Sequence, residues 1–290
     1  MPIYINPFKL FDLSLDADEA TLKVHKSRVQ ERIQHNKETE LVHIGHNKLP
    51  KHTVLKLLKE LDNYQTRQFH LAIYEHKKLL NFLEYGHLNY FRNSQPLAST
   101  QDAEFFKFIG PYFGYQYGET LLQAIKTQDK ETLSLLSATS LPMVGDFEDQ
   151  CYKHANFYVE STIKDLKNLQ DKQELNHMSE RELLSYLPNR TIELYNMLPD
   201  YFYAARNLIG NEVYQLSIVL IQNFGRSDGA SAMLKQGLKL KLDTTVRKNL
   251  ESMLGKFSIK SKFPNFILIA IVFVAILFMM KYIETNFLGG

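Results

Sequence analysis

Histidine is the side chain with the most chemical potential in this sequence, and it is unevenly distributed. Eight of the ten histidines fall in the first 87 residues. His43 and His46 are three positions apart, and with Glu38 or Glu40 they could bind zinc. However, Cys151 is the only cysteine and there is no His-Glu-x-x-His sequence, so we predict no metal site. A change of histidine charge between about pH 5 and 8 is the other chemistry that this cluster offers.

No residue pattern predicts catalysis. The run Gly110-Pro111-Tyr112-Phe113-Gly114 lacks the lysine and the serine or threonine of a phosphate-binding loop, so we interpret it as a turn between helices. No serine, cysteine or histidine lies in a nucleophile motif. The sequence therefore predicts a protein that is not an enzyme, with no catalytic residues and no cofactor.

The overall charge excludes one class of partner. The chain has 290 residues, with 34 Lys and Arg against 32 Asp and Glu and a net charge of +2. A balance this even gives no reason to expect nucleic acid as a partner. The single cysteine is typical of a chain in a reducing compartment.

The elements that must position any site are predicted to be helices. Apolar residues recur at three- and four-residue steps, and no convincing alternation of period two is bounded by hairpin turns. In a first domain, residues 1–92, Asp16 and Glu19 resemble a capping box that opens a helix ending near Gln34. Later apolar positions predict a short helix and a longer one that ends near Gly86, which could complete an antiparallel helical hairpin.

Two further segments follow that domain. Residues 93–118 are rich in glycine, proline and aromatic side chains and are predicted to be a linker. Residues 119–255 are predicted to be a repeat-like helical bundle, with a mixture of small and large residues similar to that of tetratricopeptide hairpins. Ser179 and Glu182 form a second predicted capping box.

The C-terminal sequence predicts a transmembrane helix over residues 263–283. The run from Phe266 to Met280 is apolar throughout, and the predicted span would be about 31 Å long as a helix. The residues predicted to contact lipid are Phe266, Ile267, Leu268, Ile269, Ile271, Val272, Phe273, Val274, Ile276, Leu277 and Phe278.

Flanking charge predicts the orientation of that span. Basic residues precede the span in a juxtamembrane segment, 256–262. After the apolar run that ends at Met280, only Lys281 is basic. The juxtamembrane lysines are Lys256, Lys260 and Lys262. By the positive-inside rule we expect a single-pass, tail-anchored protein with a cytoplasmic body and a far-side tail at 284–290. The N-terminus has no pattern of a secretory signal.

The N-terminal sequence Asn6-Pro7-Phe8-Lys9-Leu10-Phe11-Asp12-Leu13, followed by Asp16-Ala17-Asp18-Glu19, resembles the opening of a J domain, the DnaJ-type co-chaperone module. The resemblance covers the first 35 residues best and extends loosely to Gly86. It implies a helical hairpin with a basic second helix. The residues on that helix are Lys23, Lys26, Arg28 and Arg32.

The J-domain signature is a His-Pro-Asp loop between the second and third helices, which stimulates ATP hydrolysis by a DnaK-type partner. This sequence has His35-Asn36-Lys37 at that place, so proline and aspartate are both replaced, and lysine reverses the charge. The resemblance therefore implies a docking module with a degenerate loop. The partner-binding residues that it implies are Lys23, Lys26, Arg28, Arg32, His35, Asn36 and Lys37.

Together these features predict an all-α protein with a J-like module, a repeat-like bundle and one transmembrane helix. We expect a membrane-anchored, non-enzymatic scaffold at the cytoplasmic face, whose partners are the lipid bilayer and membrane-associated proteins. One alternative is an active co-chaperone that recruits a DnaK-type chaperone to the membrane. A second alternative is a helical-repeat adaptor unrelated to chaperones.

Overall fold

Helices carry almost all of the regular structure in the described residues. The computed structural model describes residues 3–93, 103–141 and 146–262. The chain divides into two units, Met1–Phe157 and Tyr158–Gly290. The helical character predicted from the sequence is confirmed, apart from one β-hairpin.

The first unit contains eight complete helices, the hairpin and the start of a ninth helix among its described residues. They are α1 (Pro7–Leu10), α2 (Glu19–Ile33), β1 (Leu41–Ile44), β2 (Asn47–Pro50), α3 (Lys51–Asp62), α4 (Tyr64–Glu75), α5 (Lys77–Tyr85), α6 (Asn89–Asn93), α7 (Ala103–Thr127), α8 (Lys130–Ser137) and the first part of α9 (Phe147–Gln170).

The second unit takes the rest of α9 and the helices that follow it. They are α10 (Glu180–Ser185), α11 (Asn189–Met197), α12 (Tyr203–Phe224), α13 (Ser227–Gly237) and α14 (Thr244–Lys262), with short 3-10 helices at Gln173–Asn176 and Asp200–Phe202.

One apolar cluster joins α1, α2, the hairpin and α3. Its buried members are Phe8, Leu10, Phe11, Leu13, Val29, Ile33, Val42, Ile44, Val54, Leu57, Leu58 and Leu61. The cluster explains why α2 forms although its sequence is mostly polar, because Val29 and Ile33 are four residues apart and face the same core. The hairpin and the helices on either side of it therefore depend on one another.

The hairpin corrects the prediction that the N-terminal domain has no strand. β1 and β2 pair antiparallel, with Leu41 opposite Pro50. Val42 and Ile44 are buried while Leu41 and His43 are exposed, which is the alternation of a half-buried strand. Gly45 supplies the turn at a φ of +56°, a conformation that favours glycine.

Two helix boundaries in this unit differ from the prediction. Asp18, rather than Asp16, caps α2 by accepting a hydrogen bond of 2.8 Å from the backbone N–H of Thr21. The predicted long helix before Gly86 is two helices, because the chain breaks at His76, which caps α5. Gly86 ends α5 in the left-handed conformation, as predicted.

Helix α7 corrects the predicted linker at 93–118, since residues 103–118 form its first part and 94–102 lie outside the described residues. Gly110, Gly114 and Gly118 are spaced by four residues and lie on one face of α7. A Cβ on Gly114 would lie 2.6 Å from the Cβ of Gln150 in α9. The glycines therefore allow α7 and the first part of α9 to approach closely, rather than breaking a helix.

Polar side chains satisfy backbone groups at two helix ends of the second unit. The capping box of Ser179 and Glu182 opens α10 as predicted. Arg206 is 2% exposed, and its guanidinium donates to the carbonyl oxygens of Tyr195 and Leu198, at 3.1 Å each. These carbonyls lie at the end of α11, so Arg206 caps that helix from α12.

The predicted fold class included a transmembrane helix, and the structure does not support this prediction. No helix in the described ranges has both the length and the apolar character needed to cross a bilayer. The predicted single-pass membrane location rested on that helix, so it is not supported either. The segment 263–283, with the predicted lipid-contacting residues from Phe266 to Phe278, lies outside the described residues.

The predicted boundary between the bundle and the juxtamembrane segment is also corrected. Helix α14 runs without interruption through Gly255 and ends at Lys262, so the segment 256–262 continues the helix. Lys256 is exposed, while the side chains of Lys260 and Lys262 lie outside the described part of the chain. Nothing in the described residues tests whether 119–255 is a repeat, which stays a prediction.

Candidate functional site

A cavity of about 430 Å³ lies between α2 and the helices α3 and α4 in the first unit, and we call it the α2–α3 cavity. Its size falls in the range of cavities that bind ligand groups or anchoring side chains. It is the place where the structure brings predicted partner-binding residues together with apolar surface. The lining residues are Phe11, Leu13, Glu19, Leu22, Lys23, His25, Lys26, Ser27, Gln30, Leu58, Leu61, Asp62 and Arg67.

The floor of the cavity is apolar and is shared with the core. Phe11, Leu13, Leu58 and Leu61 are buried members of the apolar cluster that holds α1, α2 and α3 together. Leu22 is partly buried against the same cluster. The residues that fold this part of the chain therefore also provide an apolar surface that is accessible from the cavity.

The rim of the cavity carries both signs of charge, with an excess of positive charge. Lys26 forms an ion pair with Asp62, and Arg67 lies 3.5 Å from a carboxylate oxygen of Glu19. Lys23 is exposed and forms no ion pair with any residue in the described ranges. Lys23 is therefore the rim cation that is free to meet an acidic group of a partner.

His25 contributes a buried polar atom to the wall of the cavity. Its Nδ1 is buried and has no hydrogen-bond partner among the described residues. Such atoms usually have a partner in folded proteins, so this nitrogen is available to an incoming donor or acceptor. The sequence placed His25 only in a general histidine cluster, without locating it in a cavity.

The predicted partner-binding residues separate into three places. Lys23 and Lys26 line the cavity. Arg28 and Arg32 are exposed on α2, four residues apart, and do not line the cavity. His35, Asn36 and Lys37 form the turn that follows α2.

The turn at 35–37 is held by contacts from its surroundings. Lys51 Nζ donates to the carbonyl oxygens of Gln34, at 3.1 Å, and Asn36, at 2.7 Å. The backbone N–H of Lys37 donates to Glu40 at 3.0 Å, and this bond holds the pKa of the Glu40 carboxyl below its usual range. His35 remains exposed, and the hairpin, rather than α3, follows the turn.

Other sites considered from the sequence are placed differently. His43 and His46 are exposed on β1 and in the hairpin turn, and no group of three metal-ligating side chains occurs within the described ranges. Cys151 is buried against α7, and burial raises the pKa of its thiol well above the usual value. A thiol in this environment stays protonated, so it is a poor nucleophile.

Sequence reasoning missed the residues that reach the cavity from outside α2. Asp62 ends α3 and Arg67 lies in α4, more than 30 positions along the chain from the α2 residues that they meet. No local pattern signals these contacts, because both residues read as ordinary charged positions on exposed helix faces.

Comparisons with known proteins add no relative to this geometry. Neither protein-family models, nor curated proteins, nor solved structures gave a match to the chain.

Proposed function

We propose that this chain is a non-enzymatic protein-interaction module that docks a partner in the α2–α3 cavity. The observation that carries the proposal is the combination of an apolar floor with a rim on which Lys23 is unpaired. Apolar pockets with charged rims are typical of docking sites, in which one buried anchor supplies affinity and the rim supplies specificity. The resemblance of residues 6–22 to a J domain supports the same role.

The partner that fits this cavity is a peptide segment with one large apolar side chain beside acidic residues. The apolar side chain would lie against Leu22, Leu58 and Leu61, and an acidic residue would face Lys23. Arg28 and Arg32 on the exposed face of α2 extend the positive surface for further acidic groups. Electrostatic complementarity of this kind speeds association and excludes basic partners.

Site-specific photo-crosslinking of the full chain tests the proposal. A photoreactive amino acid at Ser27, which lines the cavity, should give a discrete adduct in cells that produce the protein. Lys23→Glu should strongly reduce that adduct, because it reverses the charge of the free rim cation without breaking an ion pair. Lys48→Glu, on β2, makes the same charge change outside the cavity and should leave the adduct unchanged.

Two outcomes would reject this docking site. One is an adduct at Ser27 that Lys23→Glu and Lys48→Glu affect equally. The other is an adduct pattern at Ser27 that a photoreactive residue at Ser134, exposed on α8, reproduces. Either result would mean that the crosslinks report general surface contact and not occupation of the cavity.

A co-chaperone role is the second candidate, and the exposed His35 in the turn after α2 favours it. ATP hydrolysis by a purified DnaK-type chaperone, measured with and without the full chain, separates the two roles. We expect no stimulation, because Asn36 and Lys37 stand where a J domain has proline and aspartate. Stimulation that His35→Gln abolishes would establish the second candidate in place of the first.

A further inference from the structure

A chain of buried polar groups links the N-terminal segment to α3 and α4. Asn6 Nδ2 donates to the Tyr4 hydroxyl at 3.1 Å, and the Tyr4 hydroxyl lies 2.9 Å from His70 Nδ1. On its other side, His70 Nε2 lies 3.1 Å from Glu60 Oε2. With the proton of a neutral ring on Nε2, every one of these atoms is satisfied, since Tyr4 donates to Nδ1 and Nε2–H donates to Glu60.

A second cavity, of about 610 Å³, lies where this chain of polar groups reaches the surface. It is formed by the N-terminal segment, α3, α4 and α7, all in the first unit, and it shares no lining residue with the α2–α3 cavity. Its lining residues are Ile3, Ile5, His52, Thr53, Lys56, Leu57, Glu60, His70, Lys107, Phe108, Pro111 and Tyr112. The docking role proposed above does not use any of them.

The charges around this second cavity favour an anion. Among the described residues, Glu60 is the only acidic one that lines this cavity. Its carboxylate accepts from His70 Nε2 and lies 3.6 Å from Lys56 Nζ. Lys107 is exposed on α7 and forms no ion pair with any residue in the described ranges. The lining therefore leaves positive charge without a counterion, close to apolar walls.

Tyr112 also lines this cavity and carries a hydrogen-bond donor. Its ring is half-buried, and burial raises the pKa of its hydroxyl, so the group keeps its proton. A protonated hydroxyl that lines the cavity can donate a hydrogen bond to a ligand.

We infer that this second cavity binds a small amphipathic anion. Its carboxylate or phosphate head would lie between Lys56, Lys107 and the Tyr112 hydroxyl, and its apolar body would pack against Leu57 and Phe108. Charged head groups gain most from such donors when neighbouring apolar walls exclude water. The volume suits a ligand the size of an aromatic or short-chain acid.

Fluorescence titration of the full chain with anilinonaphthalene sulfonate, an aromatic anion, tests the inference. The double variant Lys56→Gln and Lys107→Gln should raise the Kd of the tightest binding component roughly tenfold, because two charge-assisted contacts are lost. The matched control is Lys59→Gln with Lys126→Gln, which removes one lysine from each of the same helices outside the cavity. This control should leave the Kd within about twofold of the original value.

A competition series shows whether the head group or the apolar body is recognised. Naphthalene acetate should displace the probe, while naphthalene methanol, which has the same ring system without the charge, should displace it much less. Lys107→Gln alone guards against misfolding, since this side chain is exposed and unpaired in the described residues; it should retain the circular dichroism spectrum and still weaken binding.

Three results would overturn the inference. The first is a Kd of the Lys56→Gln and Lys107→Gln variant that equals that of the native chain. The second is an equal loss in the Lys59→Gln and Lys126→Gln control, which would mean that only net charge matters. The third is equal displacement by the charged and the uncharged naphthalene compounds, which would describe an apolar cavity without a head-group site.

Discussion

The two units both bury polar side chains, but they use them in different ways. In the first unit, His70 forms hydrogen bonds with both Tyr4 and Glu60, and His70 and Glu60 line a cavity. In the second unit, Arg206 donates to the backbone carbonyls of Tyr195 and Leu198. A buried side chain that satisfies backbone groups has a structural task, whereas linked side chains beside a cavity retain groups that a ligand can contact. The proposed ligand site therefore lies in the first unit, whereas Arg206 in the second unit caps a helix.

The largest effect that this comparison predicts is the loss of Arg206. Arg206→Met removes the donor to two carbonyl oxygens at the end of α11 and should lower the free energy of unfolding of this region by about 3 kcal/mol. Hydrogen exchange of α11 peptides in the full chain measures the change. Arg190→Met, on the exposed side of the same helix, should alter it by no more than about 0.5 kcal/mol. Equal effects of the two changes would remove the capping role.

The next effect compares a packed glycine with an exposed one. Gly114→Ala places a Cβ 2.6 Å from Gln150 Cβ, so α7 and α9 must shift, and the free energy of unfolding should fall by about 2 kcal/mol. Gly255→Ala, in α14, has no heavy atom within 4 Å of the new Cβ and should stabilise the chain by about 0.5 kcal/mol. Urea denaturation measures both. A stabilised Gly114→Ala variant would contradict the close approach of the helices.

Two buried tyrosines sharpen the comparison further. Tyr4→Phe removes a hydrogen-bond partner of Asn6 Nδ2 and of His70 Nδ1. The free energy of unfolding should fall by about 1.5 kcal/mol. Tyr195→Phe, in the second unit, loses a single contact of 2.6 Å to half-buried Thr162 and should cost about 0.5 kcal/mol. Urea denaturation should rank the variants in this order, and the reverse order would mean that the N-terminal polar network adds little.

Alkaline pH gives these tyrosine variants a second measurement. Burial raises the pKa of both hydroxyls above 10.0, the usual tyrosine value. A raised folded pKa means that the stabilising contribution is complete below the unfolded pKa and is lost as pH rises past it. Each phenylalanine variant should therefore lose stability less steeply than the native chain above about pH 10. Identical slopes would show that the hydroxyls ionise freely in the folded state.

The smallest effect concerns the rim of the α2–α3 cavity. Asp62→Asn breaks the ion pair between Asp62 and Lys26. Because both side chains are partly exposed, the free energy of unfolding should change by no more than about 0.5 kcal/mol. The same substitution frees Lys26 and makes the rim more positive, so the crosslink from Ser27 should increase. A large loss of stability would show that the pair supports the fold instead of the docking surface.

Some local signals, unlike those that depend on distant packing, were read correctly from the sequence. The Gly86 cap and the capping box at Ser179 each involve residues within a few positions, so the sequence alone is sufficient to find them. The glycines at 110, 114 and 118 were interpreted as breakers, although their four-residue spacing suits a helix packed closely on a partner. Only the position of α9 decides between these interpretations.

The candidate site shows the same division. Lys23 and Lys26 were predicted because the resemblance to a J domain implies a basic second helix, but Asp62 and Arg67 reach the cavity through the packing of α3 and α4. The hairpin was missed because each strand has only four residues, and Val42 and Ile44 supply the only buried alternation on β1. A pattern this short carries little weight until the core that receives it is known.

The tip of the hairpin offers a practical handle on this protein. Residues 45–48 are exposed, and the position of a Cβ on Gly45 is surrounded by open space. Exposed turns with small residues usually accept insertions without loss of the fold. A short epitope or a fluorophore-binding peptide between Gly45 and His46 would therefore label the chain at an internal site.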